Sequence, residues 1–328
     1  MASYPKAAFR LELDGKDLTD RVRPRLISLS LSEKRGDEAD QLDVVLNDGD
    51  GKLAMPKKGA VLSLQLGWQG EALIDKGHFK VDEIEHSGTP DHITLRARSA
   101  DFTAALRIRR ERTWKNKTLG QILAEIAGPA GLQLRIDPAL KAKSVAVLAQ
   151  SRESDLALLK RLGARYDAVA TIKAGRLLFN PKGKGSTASG AALPTFEIVR
   201  RDGDGHSYRS ADREGYTGVT ANWHDVHGAT RHKVTAGKDT NAKRIRKVFH
   251  SEAEAKAAAD GEHSRLERQK HTLSFRLALG RPDLYPERKG RVKGIKNEID
   301  AVTWLIAEAR HELGDGGLVT SIELEQAT

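Results

Sequence analysis

The first hundred residues alternate apolar and polar side chains with a period of two. Phe9, Leu11 and Leu13 are separated by Arg10 and Glu12, and Asp14-Gly15 then supplies turn residues. Ile27, Leu29 and Leu31 alternate with Ser28, Ser30 and Ser32, and Leu62, Leu64, Leu66 and Trp68 alternate with Ser63, Gln65 and Gly67. Ile93, Leu95 and Ala97 fall between His92, Thr94, Arg96 and Arg98. Such alternation places one face of a strand in a core and the other toward polar surroundings. With weaker strands at 42–46 and 79–84, about six strands joined by short Gly/Asp turns predict a small barrel or sandwich.

The period then changes. Thr118 and Gln121 form a capping box that opens a helix through Ile122, Leu123, Ile126 and Ala127, which Gly128-Pro129 stops. A second helix begins near Ser154-Asp155, buries Leu156, Leu158, Leu159 and Leu162, and is expected to end at Gly163. Short strands at 168–172 and 176–179 complete a small α+β segment. Residues 182–194 turn to Gly, Ser, Thr, Ala and Pro, the composition of a flexible junction. Strand patterning returns at 196–199, 217–223, 273–279, 291–295 and 318–325. One helix interrupts it, opened by Ser251 and Glu254 and running toward Lys270. For 302–313, Val302, Leu305, Ile306 and Ala309 fit a helix face, whereas Val302, Trp304 and Ile306 fit a strand; periodicity leaves both open. The predicted fold is α+β and β-rich, with two barrel-like domains (1–105 and 191–328, the latter with a helix at about 251–270) flanking a basic α+β domain (106–190).

Composition narrows the function classes. The 328 residues contain no cysteine, which removes disulfides, thiolate metal sites and cysteine nucleophiles and fits a reducing cytosol. No apolar run reaches about 18 residues, so no membrane span is expected, and the N-terminus lacks the apolar stretch of a secretory signal. The net charge is +10. It is concentrated in residues 101–190, where 17 Lys/Arg face 7 Asp/Glu. The densest run, Arg107, Arg109, Arg110, Arg112, Lys115 and Lys117 around Trp114, is the candidate basic partner-binding surface. Its alternative reading is a phosphate-tracking patch with one stacking aromatic.

Catalytic and metal motifs are weak. His311-Glu312-Leu313-Gly314-Asp315 puts Asp where a zinc protease needs its second His, and Gly-Asp-Gly-Gly breaks any helix. His224, His227 and His232 read as surface histidines on a hairpin. Asp48-Gly-Asp-Gly51 and Asp202-Gly-Asp-Gly205 read as turns, lacking the ligand spacing of a calcium loop. Lys182-Gly-Lys-Gly-Ser-Thr187 lacks the helix that a phosphate loop precedes. Glu153 and Asp155, at a helix start, are explained by the helix dipole. No catalytic, metal or cofactor residue is assigned, and no enzyme activity is expected.

Dispersed residues carry a family resemblance. They include Asp14-Gly-Lys-Asp-Leu-Thr19, Pro24-Arg-Leu-Ile-Ser-Leu29, Asp40-Gln-Leu42, Pro56 to Gly59, Gly67-Trp68 and Gly77-His-Phe-Lys-Val-Asp-Glu-Ile84. Trp114 before Thr118-Leu119, Gln150-Ser-Arg-Glu-Ser-Asp-Leu156, Gly280-Arg-Pro-Asp-Leu284, Gly294, Trp304, His311, Gly317 and Thr320 extend it. In order and spacing the chain resembles the late control gene D proteins of contractile-tailed phages, which are tail or baseplate hubs. It is also similar to R-type pyocin hubs and to the hub portion of type VI secretion spike proteins.

The resemblance implies a structural homotrimer whose chains each supply two barrel-like tube domains, so that six barrels adapt a three-fold spike to a six-fold tail tube. The implied partners are a trimeric spike, a hexameric tube protein and other baseplate proteins, with no cofactor, no membrane and no direct nucleic-acid contact. The implied location is the tail of a virion or of a phage-tail-like particle, after synthesis and assembly in the bacterial host cytoplasm; phage and bacteriocin particles are not distinguished. The family favours a strand over Trp304 to His311, and any cell-wall cleavage is expected to belong to a partner. The competing classes are a nucleic-acid-binding protein using the basic middle domain and a tail-associated peptidoglycan hydrolase.

Overall fold

The computed structural model describes residues 5–36, 39–99, 104–173, 175–187, 189–211, 215–225 and 228–328. Of the described residues, 53% are strand and 20% helix, a β-rich α+β fold. The first strands are β1 (Ala7–Leu13), β2 (Lys16–Asp17), β3 (Leu26–Lys34), β4 (Gln41–Asn47), β5 (Val61–Trp68), β6 (Ile74–Ser87) and β7 (His92–Ser99), with α1 (Thr19–Val22) before β3. The middle holds β8 (Arg109–Thr118), α2 (Leu119–Ala127), β9 (Gln133–Ile136), α3 (Pro138–Lys141), β10 (Ser144–Ser154), α4 (Asp155–Tyr166), β11 (Ala168–Lys173) and β12 (Arg176–Pro181). There follow β13 (Phe196–Val199), β14 (Gly203–Ser210), β15 (Gly218–Asp225), β16 (Thr230–Gly237), β17 (Ala242–Phe249) and α5 (Glu252–Gln269). Last come β18 (His271–Leu277), β19 (Lys289–Lys293), α6 (Asn297–Asp300), β20 (Trp304–Gly314) and β21 (Gly317–Gln326).

Two compact units result. The first comprises Met1–Asp101, Phe196–Tyr208 and Leu273–Leu324. The second comprises Phe102–Thr195, Arg209–Thr272 and Glu325–Thr328.

The first unit is one 13-stranded sheet built from two modules of the same strand order. In the first module the neighbours run β1-β5-β6-β7-β4-β3. In the second they run β13-β19-β20-β21-β18-β14. With the two-residue β2, which only extends the sheet beyond β1, left out, and the rest numbered by occurrence within each module, both orders are first, fourth, fifth, sixth, third, second. The repeat extends to single hydrogen bonds. The Val81 amide donates to Ala60 O (2.9 Å) and Val81 O accepts from Gly59 N (2.8 Å). The Ile306 amide likewise donates to Arg288 O (3.0 Å), and Ile306 O accepts from Glu287 N (2.9 Å). Gly59 (φ 91°) and Glu287 (φ 73°) share the left-handed backbone this turn requires. One pairing differs: β1 lies antiparallel to β5, whereas β13 lies parallel to β19.

Alternation decides what the modules bury. Phe9, Leu11, Leu29, Leu31, Leu42, Val44, Leu46, Leu62, Leu64, Leu66, Phe79, Val81, Ile93, Leu95 and Ala97 form the first core. Ile27, grouped with these by pattern, is instead 43% exposed, because the pairing with β4 slips between Leu26 and Ser28. The second core is more aromatic, with Phe196, Phe275 and Trp304 beside Leu273, Leu277, Leu284, Ile306, Ile322 and Leu324. Residues 304–314 are strand, the alternative the family favoured.

The second unit also has two cores. One joins α2, α4 and β11–β12 through Leu119, Ile122, Leu123, Ile126, Leu158, Leu159, Leu162 and Phe179. The other sets the Ala-rich face of α5 (Ala255, Ala258, Ala259) on Val219, Ala221 and Phe249 of its three-stranded sheet. Both α2 caps form as read, with Thr118 Oγ1 accepting from Gln121 N and Gln121 Oε1 accepting from Thr118 N. Helix α4 does not end at Gly163. It continues to Tyr166 and stops on Asp167 in the left-handed conformation. Gly163 is needed for close approach, since a Cβ there would lie 2.9 Å from Ala168 O. Among the described residues of the junction at 182–194, Ser186 bridges Ala192 and Leu193 N donates to Gly185 O.

Candidate functional site: a polar joint between modules and the basic strand

The modules are fused where β20 meets β3, in antiparallel register from Glu308 opposite Lys34 to Leu313 opposite Leu29. The first apolar core reaches across this line to Leu313 and Leu318, and polar side chains bridge the rest of it. Ser32 Oγ donates to Glu308 (2.7 Å), and Arg310 Nε donates to Ser30 Oγ (3.2 Å). Beneath them Glu33 is buried, paired with Lys76 Nζ at 2.5 Å and with His311 Nε2 at 3.1 Å. His311 Nδ1 lies 2.9 Å from Thr320 Oγ1, which also accepts from Arg281 N. Neutral His311 with its proton on Nε2 satisfies every group: Thr320 donates to Nδ1 and Nε2 donates to Glu33.

The electrostatics follow from this packing. Burial opposes ionisation of Glu33, but the His311 hydrogen bond and the Lys76 ammonium outweigh it and hold the carboxyl at about 2. Burial, with Lys76 nearby, pushes the His311 imidazole below its usual range. The matching motif Gly280-Arg-Pro-Asp-Leu284 sits at the same joint. Trp68 Nε1 donates to Gly280 O (3.1 Å), and Arg281 clamps Asp283 with two contacts of 2.7 and 2.8 Å. Burial alone would raise the Asp283 carboxyl; Arg281 and Arg288 bring it down to about 2. Arg35, just past β3, pairs with Glu287 at 2.6 Å.

The six cations singled out by sequence have different surroundings: Arg107 ends the 3-10 turn before β8, and the other five lie on β8. Arg110 and Arg112 turn toward the buried Asp155, Arg110 at 3.4 Å. Lys117 is held by Glu125. Arg107, Arg109 and Lys115 are exposed, with no ion-pair partner among the described residues. Trp114 is no stacking platform: it is buried, its Nε1 donates to Glu125 (2.8 Å), and the Arg112 guanidinium covers its ring at 5.0 Å.

The helix-dipole reading of Glu153 and Asp155 falls short. Ser154 caps α4, and Glu153 binds Arg161 at 2.7 Å. Asp155 takes Arg112 and Gln150 into a buried cluster. Gln150 further donates to Glu153 O (2.9 Å), so Gln150-Ser-Arg-Glu-Ser-Asp-Leu156 is a strand-to-helix lock.

The remaining candidates are structural. His311 lies on a strand, so the zinc-protease pattern has no helix to display it. His224 and His232 sit on the β15–β16 hairpin, with His232 stacked on Trp223 at 4.7 Å; His227 lies outside the described residues. Asp50 clamps Arg25 in a turn, Asp202 accepts from Val199 N (2.8 Å), and Lys184 binds Asp137. Among the described residues no group of His, Asp or Glu could hold a metal ion, and no helix is long and apolar enough to cross a membrane.

The family model for the phage tail baseplate hub matches residues 42–317. The chain belongs to this baseplate hub family. It is 41% identical to a probable baseplate hub protein of Escherichia phage 186, over 97% of this chain and 92% of that one. Among solved structures, a 43 kDa tail protein of prophage MuSo2 from Shewanella oneidensis matches with TM-score 0.70 at 16% identity, covering 98% of both chains. An E. coli component of the type VI secretion system, described as similar to bacteriophage T4 tail proteins, matches with TM-score 0.56 at 13% identity, over 93% of this chain and 74% of that one. This chain is thus a baseplate hub protein of a phage tail, and baseplate hubs are parts of the virion tail. In the hub, the polar joint fuses the two modules of one chain into a single sheet.

Proposed function

We propose that this hub is a homotrimer whose three chains place six strand modules in a ring, converting the three-fold symmetry of a spike into the six-fold symmetry of a tail tube. The observation that carries the reading is the repeat of strand order and of the Val81 and Ile306 hydrogen bonds within one chain. Two like modules per chain make six equivalent positions from three chains. The partners are a trimeric spike, a hexameric tube and neighbouring baseplate proteins, met during assembly in the bacterial host cytoplasm. The role is structural rather than catalytic.

In this reading the chain divides into tube domains at 1–105 and 191–328 around a basic domain at 106–190, with residues 209–272 an excursion from the second tube domain. The exposed Arg107, Arg109 and Lys115 face outward, toward baseplate components; finding them on a channel wall would overturn that placement. Mass in solution, alone and with a trimeric spike protein, tests the proposal. A species of three 35.9 kDa chains is expected, and a monomer under both conditions refutes it.

A further inference from the structure

The four tryptophans of the chain are housed unequally. Trp68 Nε1 donates to Gly280 O, Trp114 Nε1 to Glu125 and Trp304 Nε1 to Ile299 O. Trp223 Nε1 has no acceptor among the described residues, and its side chain is only half-buried. Alternation along β15 puts it on the face that α5 packs against. The two earlier positions of that face, Val219 and Ala221, are sealed beneath Ala255, Ala258 and Ala259. The indole is left at the rim of the same core, stacked on one side by His232 at 4.7 Å. A large aromatic with a free N–H, fixed on a paired strand, is the usual anchor of a binding site.

Beside the indole lies a cleft of about 590 Å³, bounded by His224 and Asp225 at the end of β15, by His250, and by Glu252 and Lys256 in the opening turns of α5. This is the volume of a small-molecule site. Glu252 and Lys256 stand one helical turn apart, where such residues ordinarily pair, yet neither has an ion-pair partner among the described residues. The side chains of His224 and His250 are equally free there. Two carboxylates against one ammonium argue against an anionic ligand. Glu252 and Glu254 also offset the helix dipole that would attract an anion. Among the described residues no group of His, Asp or Glu could hold a metal ion. A flat apolar surface with an unused N–H, a carboxylate acceptor and an ammonium donor at its edges matches a ring that has one C–H face and a rim of hydroxyls.

We propose that this cleft binds a neutral hexopyranose unit of an oligosaccharide. The sugar packs a C–H face on the indole surface that His232 leaves free. Its hydroxyls donate to Glu252 and accept from Lys256 and Trp223 Nε1. The site lies within residues 209–272 and is independent of how many chains form the hub.

Fluorine NMR of the intact, fluorotryptophan-labelled chain tests this. Four tryptophans give four lines, and Trp223→Phe assigns the line of Trp223 by its loss. The probes are maltotetraose, chitotetraose and tetragalacturonate. One or both neutral sugars are expected to move the Trp223 line alone and saturably, and the stronger of them tells a plain hexose site from an N-acetylhexosamine site. Tetragalacturonate is expected to leave the line in place. Glu252→Ala, a change at an exposed side chain, is expected to weaken binding of the neutral sugar about tenfold. No movement with either neutral sugar overturns the proposal. A stronger response to the uronate, which marks an anion site, overturns it too, as does unchanged affinity in Glu252→Ala.

Discussion

The two modules share a strand order but not a construction. Module one is continuous, with a core mainly of leucine around Phe9 and Phe79 and short connections. Module two is interrupted between β14 and β18 by 60 residues that fold with the other unit, and its core rests on Phe196, Phe275 and Trp304. The comparison teaches that the architecture depends on the order of pairing and on the polar line at β20–β3. Loop length, core chemistry and the direction of the first strand all vary around it. A long insertion at a loop costs little closure entropy once both flanking strands are held by neighbours.

The strongest test of that comparison is Trp304→Ala. The indole is fully buried and donates to Ile299 O (3.2 Å), so the substitution should cost about 3–5 kcal/mol in denaturant unfolding. Because the sheet is continuous, both modules are expected to unfold in one transition shifted as a whole. A retained module-one transition would show that they are energetically separate. Next in size is Glu33→Gln, which leaves Lys76 facing a neutral amide in the joint; a loss of about 2–3 kcal/mol is expected from the same experiment.

Acidification probes the joint without mutation. Glu33 and His311 both titrate below their ordinary values of 4.5 and 6.5, so the folded chain binds fewer protons than the unfolded one. Stability should therefore fall as pH drops below the ordinary histidine value, and fall further below the ordinary glutamate value toward about 2. Denaturant midpoints measured across this range should show a shallower acid slope in Glu33→Gln.

Much of this was readable in the sequence. Leucine alternation located β3, β5 and β7, and the boxes at Thr118 and Ser251 located α2 and α5. Strands β8 and β17 were missed because both of their faces carry charge, as in Arg-Arg-Glu-Arg-Thr-Trp-Lys-Asn-Lys-Thr. Periodicity detects a buried face, and these strands are fixed by pairing and ion pairs instead. The basic run was visible as composition, but its ion pairs with Asp155 and Glu125 depend on residues that only the fold brings beside it. Glu33, Lys76 and His311 meet only after folding, and no local signal joins positions so far apart. Of those three, His311 alone was noted, as one of the residues carrying the family resemblance and for a zinc motif it does not make.

Two smaller effects complete the contrast between built joint and ordinary surface. Ser251→Ala removes the acceptor for Glu254 N (3.3 Å) and should lower stability by about 1 kcal/mol, read from thermal or denaturant unfolding. Asp204→Ala breaks a half-exposed pair with Arg276 in module two and should cost under about 1 kcal/mol, well below the loss at Glu33. If the two proved equal, the joint would be no more than surface.

Imaging the assembled hub by electron cryomicroscopy tests the central claim most directly. The account predicts three chains around one axis, with six strand modules at nearly equal angular spacing. A different number of chains, or modules one and two at unrelated radii, would contradict it.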